Sequence, residues 1–153
     1  MNMQLVIFRL SGEKYGVDVH QVQSIIPMQE IAVVPGVPPF IEGVINLRSE
    51  VIPVVDLRAR FGLPVTESLK PVIVIVEVNE LLVGLVVDKV LEVSKIWETA
   101  VEPPSPLLTT VDTAYLRGIA NLDEDNVLIL LDLNRIFSLD EVDVMSQTVV
   151  VEE

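Results

Sequence analysis

An all-β protein made of two copies of one small unit is what the sequence predicts, and three features predict it. Of its 153 residues 50% are hydrophobic, mostly Val, Ile and Leu, and only 5% are aromatic. Such β-branched side chains pack well on a pleated surface and lose χ1 freedom in helices. Short apolar runs recur at close intervals, broken by Gly, Pro, Ser and Asn, which is the punctuation of a small barrel or a sandwich. The third feature is an internal repeat.

The string "EGVINLRSEVIPVVDLRARFGL" from Glu42 recurs as "RGIANLDEDNVLILLDLNRIFSL" from Arg117. Gly43, Asn46 and Leu47 align with Gly118, Asn121 and Leu122. After a one-residue insertion in the turn, Val51, Asp56, Leu57, Phe61 and Leu63 align with Val127, Asp132, Leu133, Phe137 and Leu139. Upstream, "YGVDVHQVQSI" (15–25) resembles "VGLVVDKVLEV" (83–93), anchored on Gly16 with Gly84. Residues 5–64 and 73–140 therefore read as two copies joined near "VTESLKP".

In chain order, residues 4–10 and 14–19 make a hairpin across Ser11-Gly12-Glu13, where Gly suits a turn needing positive φ. The Pro-rich crossover "PGVPP" (35–39) leads to a second hairpin, 40–47 with 51–57. Pro53 lies within that last strand and cannot donate to a ladder, which predicts an edge or a bulge there. The second copy gives strands at 72–78, 81–87, about 90–96, 115–122 and 127–133, with "EPPSP" (102–106) as its crossover. "DLRARFG" and "DLNRIFS" each predict one or two helical turns, the first stopped by Gly62 and Pro64. Ser138 with Glu141 fits a capping box opening a C-terminal helix over about 139–147. No pattern fixes the tail "VVVEE".

Composition excludes several functions. The net charge of −13 argues against nucleic acid, whose phosphates need clustered Lys and Arg. Anionic membrane surfaces are disfavoured for the same reason. Mean hydropathy is +0.54, yet a spanning helix needs about 20 uninterrupted apolar residues, and Glu77 and Asp88 interrupt the richest runs. The N-terminus has no basic segment leading a long apolar one. With no cysteine there is no disulfide framework and no thiolate chemistry. These features predict a cytoplasmic protein without direct membrane insertion.

Nor does a catalytic centre emerge. His20 is the only histidine and has no activated nucleophile near it in sequence, so it reads as a strand-end residue. The duplicated Asp56 and Asp132 could form an aspartic-type dyad, each copy giving one carboxylate. Both occur as Asp-Leu before a short helix, without the Thr/Ser-Gly of such sites, and N-capping is the better reading. Counting from Asp123, an EF-hand would want Gly and Glu where Leu128 and Asn134 stand. There is no Gly-rich phosphate loop, so no cofactor is expected.

"FIEGVINLRSEVIPVVDLRARFGL", with "YGVDVHQVQSII" ahead and "LVGLVVDKVLEV" and "YLRGIANLDEDNVLILLDL" behind, resembles the CheW family of chemotaxis coupling proteins over roughly residues 4 to 140. The resemblance implies two five-stranded SH3-like β-barrels packed together as one CheW-like domain. Their expected boundaries are about 4–66 and 71–140, with a C-terminal helix or tail over about 139–153. It implies no enzymatic activity. The implied partners are the regulatory domain of a CheA-type histidine kinase and the cytoplasmic tip of a methyl-accepting chemoreceptor. Exposed apolar patches on small barrels leave self-association open.

Residue by residue, the resemblance gives Val22, Ser24 and Arg48 to receptor binding, with Arg48 offering a charge-assisted hydrogen bond and Val22 apolar area. It gives Ile31, Glu42, Gly43 and Val51 to kinase binding, and Glu102, Pro106 and Leu107 to a second kinase or ring contact. Two positions depart from the family. Ser24 stands where an acidic residue is usual, and Ser49 where Gly usually follows the Arg. Ser49 implies either a turn with negative φ or local strain. Against the chemotaxis scaffold stand a CheW-like adaptor in a motility, pilus or developmental kinase pathway and, remotely, a hydrolase using Asp56 and Asp132.

Overall fold

The computed structural model describes residues 1–64, 70–105, 111–123 and 126–151. In the first half β1 (Asn2–Leu10) and β2 (Glu13–Asp18) form a hairpin, followed by β3 (Val22–Pro27). A second hairpin joins β4 (Ile41–Leu47) to β5 (Glu50–Asp56) and ends in α1 (Leu57–Phe61). The second half repeats the order with β6 (Val72–Val78), β7 (Leu81–Val87), β8 (Lys89–Trp97), β9 (Val101–Glu102), β10 (Leu116–Asp123), β11 (Asn126–Leu131) and α2 (Leu133–Ile136). A C-terminal helix, α3 (Leu139–Val151), runs beyond its expected end and takes in the first residues of the unplaced tail.

The strands form two sheets, ordered β8-β1-β2-β11-β10-β9 and β3-β6-β7-β5-β4. Neither sheet belongs to one half of the chain. Each copy lends its first hairpin to the other copy's sheet, so the sheets do not divide at residues 66–71. Parallel pairs close the exchange, β2 with β11 and β5 with β7. Strands that pair in parallel cannot be joined by a tight hairpin, and here their partners come from opposite halves. Of the lent strands β1, β6 and β7 carry long apolar runs buried on both faces, which suits them to sheet centres.

Burial follows from this exchange. The largest core lies between the sheets and includes Phe8, Tyr15, Val74, Leu85, Ile129 and Phe137. Each sheet also curls around a smaller cluster, Leu5, Ile7 and Leu128 in one and Ile52, Ile73 and Ile75 in the other. Met145 of α3 is fully buried in the shared core, and that helix packs on β4 and β5.

Local chemistry explains the turns. Ser11-Gly12, Arg48-Ser49 and Asn79-Glu80 are two-residue loops with positive φ at both positions. Such turns match the right-handed twist of the strands they join. Ser49 thus takes the strained alternative, with φ 70°. Gly43 and Gly118 also share a duty. Each sits at a bulge, and a Cβ on Gly43 would stand 2.1 Å from the Ala32 carbonyl oxygen, one on Gly118 2.7 Å from that of Glu102.

Pro53 corrects its expectation, because β5 is a central strand between β7 and β4. Its neighbour across β4 is Val44, whose N–H and C=O both bond Ala32 on the far side. The Val44–Pro53 pair is therefore a non-hydrogen-bonded one, and nothing on β4 needs an N–H from Pro53. On the other side the β5–β7 ladder begins only at Val54 with Gly84.

Candidate interaction site

Arg48 stands at the tip of the β4–β5 hairpin with φ 52°. It lines a shallow groove of about 120 Å³ together with Gln23, Ser24, Leu47 and Glu50, floored by Ile52 and Ile75. Arg48 and Ser24 are thus brought together, as expected for one surface. Val22 is not in this groove. A bulge falls between Val22 and Ser24 in the β3–β6 ladder, and Val22 packs half-buried against the shared core. Bulges re-aim side chains, and this one turns Gln23 into the groove instead.

The other side of the hairpin carries a depression of about 350 Å³ lined by Glu30, Ala32, Val44, Asn46 and Val51. Ile31 packs behind it on the smaller cluster of Ile52, Ile73 and Ile75, and Glu42 is exposed nearby on β4. Gly43 does supply a close backbone approach, but to the chain's own segment at Ile31-Ala32. Glu102 is exposed on β9, which pairs with β10 at Ile119. Pro106 and Leu107 lie outside the described residues.

The candidate carboxylates are engaged structurally. Asp56 is 5% exposed and caps α1, accepting the Arg58 N–H at 2.9 Å. The Arg58 guanidinium, also buried, bonds Asp56 at 3.0 Å and Asp88 at 2.9 Å. Its pKa is raised, chiefly by the hydrogen bond to Asp56. The other Asp88 oxygen accepts the Ser11 N–H, so the network ties the exchanged first hairpin to β5 and β7. Asp132 caps α2 through the Asn134 N–H and pairs with Arg135. His20 is exposed on a 3-10 turn whose N–H donates to Asp18. Among the described residues no cluster of His, Asp or Glu is arranged to hold a metal.

A second cation is enclosed by aromatic rings. The Arg60 guanidinium lies 5.2 Å from the ring centres of Phe40 and Tyr115 and 5.6 Å from Phe137. It donates to the Ile136 carbonyl and to Glu141. Glu141 and Ser138 bond each other's backbone N–H groups, which is the expected capping box. Phe40 aligns with Tyr115 and Phe61 with Phe137, so this aromatic cluster is where the two copies meet.

A family model for the CheW-like domain matches residues 4–141. The chain belongs to the CheW family. Among relatives of this CheW-like chain is the chemotaxis protein CheW of Treponema pallidum, 33% identical, covering 90% of this chain and 84% of that protein. The chemotaxis protein CheW of Klebsiella aerogenes is 32% identical over 92% of this chain and 85% of its own length. The crystal structure of the scaffolding protein TtCheW from Thermoanaerobacter tengcongensis matches with a TM-score of 0.83 and 41% identity, covering 92% and 91% of the two chains. These relatives are named as chemotaxis and scaffolding proteins, and the chain is likewise no enzyme. The expected SH3-like pair of subdomains stands, except that one sheet has six strands instead of five because the short β9 adds to its edge; the reading of Asp56 and Asp132 as caps stands and the dyad does not. No helix among the described residues is long and apolar enough to cross a membrane.

Sequence reasoning missed Gln23, Glu50 and Leu82, which line the Arg48 groove. Glu50 was within reach as the hairpin partner of Leu47. Gln23 needed the bulge, and Leu82 needed the exchange of hairpins that brings β7 beside β5.

Proposed function

We propose that the chain is a non-enzymatic chemotaxis scaffold, acting in the cytoplasm, that couples chemoreceptor tips to the regulatory domain of a CheA-type histidine kinase. The observation that supports this is a pair of separate concave surfaces on opposite sides of one hairpin. Arg48 and Ser24 share a groove on one side of β4–β5, while Val51 lines a depression on the other. Two partners can therefore be held at once without competing for the same side chains. Arg48 would donate to a receptor carboxylate, and its fixed, planar donors suit such a contact. Val51 would give the kinase apolar area.

Calorimetric titration of the chain with a CheA-type kinase tests the reading. Saturable binding with Kd near micromolar, about 8 kcal/mol, supports it; no binding overturns it. On the receptor side Arg48→Glu should leave kinase affinity intact and weaken receptor capture in a pull-down. Equal capture by both proteins would remove Arg48 from the receptor surface.

A further inference from the structure

β8 closes one end of the six-stranded sheet and pairs only with β1. Which of its backbone groups face outward follows from the register. The Glu98 N–H donates to the Met1 carbonyl, in step with the pairing of Trp97 with Asn2. Hydrogen-bonded and non-hydrogen-bonded pairs alternate in an antiparallel ladder, so Ile96 and Ser94 also turn their N–H and C=O toward β1. Trp97, Lys95 and Val93 turn theirs away from the sheet, and no backbone hydrogen bond among the described residues reaches them there.

The other sheet edges are guarded. β4 is bridged by Ala32, which bonds Val44 in both directions. β9 has two residues, and β3 is shorter than β8 and ends at Pro27. On β8 the side chains of Val93, Lys95 and Trp97 share one face. Val93 is 57% and Trp97 62% exposed. Lys95 stands exposed between them, and no carboxylate among the described residues pairs with it. An edge lysine serves to block strand pairing, but a block needs no apolar side chain on either side of it, and Trp is enriched where binding energy concentrates. None of the three residues lines the Arg48 groove or the depression beside Val51.

We propose that the β8 edge is a third docking surface, which takes an extended segment of a partner protein as an added strand. The segment carries an apolar, an acidic and an apolar residue at alternate positions. Its backbone satisfies the outward N–H and C=O groups of Val93, Lys95 and Trp97. Its carboxylate faces Lys95, and its apolar side chains cover Val93 and Trp97. A second copy of this chain fits poorly. Two-fold antiparallel pairing through Lys95 sets that lysine opposite, or diagonal to, its own counterpart, where like charges repel. The surface does not depend on the receptor and kinase reading.

Trp97 is the only tryptophan of the chain, so its fluorescence reports on this edge directly. The probe is the peptide Thr-Val-Thr-Glu-Thr-Val-Thr, capped at both ends, titrated into the full chain. Emission should shift to the blue and saturate, with affinity roughly fivefold above that of the same peptide with Lys in place of Glu. Lys95→Glu should reverse that preference. N-methylation of the peptide at its Val and Glu nitrogens should abolish the shift, because those N–H groups face β8; methylation at the inner Thr nitrogens should not. No saturable shift with either peptide would overturn the docking surface. Equal affinity for both peptides would overturn the acidic partner, and indifference to N-methylation would overturn strand addition. A blue shift on raising the protein concentration alone, with a dimer by light scattering, would give the edge to a second copy instead.

Discussion

Arg48 and Ser49 hold a conformation that L-residues avoid. Left-handed backbone costs a non-glycine residue roughly 1–2 kcal/mol, and Ser49 makes no described contact in return. Ser49→Gly should therefore raise stability by about 1 kcal/mol. Urea denaturation would record this as a higher midpoint at unchanged slope; an unchanged midpoint would mean the turn is not strained. Tyr15 makes a different prediction. Burial, then the nearby Glu13 carboxylate that accepts its hydroxyl, raises its pKa well above the usual value. The folded state thus holds this proton more tightly than the unfolded chain. Its contribution is complete below about pH 10, the unfolded pKa, and is lost as pH climbs beyond it. Stability should decline from about pH 10 upward, and the decline should be shallower in Tyr15→Phe; equal slopes would exonerate Tyr15.

At the scale of elements, legibility depended on whether the signal was local. The capping box at Ser138 and Glu141 and the caps at Asp56 and Asp132 are satisfied within three residues, so residue type and spacing sufficed. The hairpins were legible too, because alternation and turn residues lie side by side. Pro53 was misread because its tolerance depends on which neighbour each side of β5 faces, and β7 comes from the other half of the chain. Val22 was given to the receptor surface by resemblance alone, and spacing could not reveal the bulge that sets it half-buried against the shared core. The function of α3 was equally hidden. Glu141 closes the helix start and also receives Arg60 at 2.8 Å, joining α3 to α1. Glu141→Ala should cost about 1 kcal/mol through the lost cap and the partly buried pair with Arg60. It should also speed amide exchange in α3 before the sheets. Uniform exchange would mean that the buried Met145 alone anchors the helix.

For the whole molecule, the duplication was legible and the exchange was not. Periodicity tells which face of a strand is apolar and says nothing of which strand lies beside it. Here that distinction decides how the chain folds. Residues 1–64 contain β1 and β2 without their partners β8 and β11, and β3 without β6. Residues 70–153 retain β8 and β11 but lack the hairpin that stands between them. The shared core takes residues from both halves, so each fragment alone exposes most of what it should bury. Neither gains enough apolar burial to offset its ordering entropy. Fragments 1–64 and 70–153 should each lack a cooperative thermal transition by circular dichroism. Mixed at equal concentration, they should regain the β-sheet spectrum and one transition whose midpoint rises with concentration, as association requires. Two contiguous barrels would behave otherwise, and cooperative melting of the 1–64 fragment alone would show that the exchanged hairpins are not what holds the halves together.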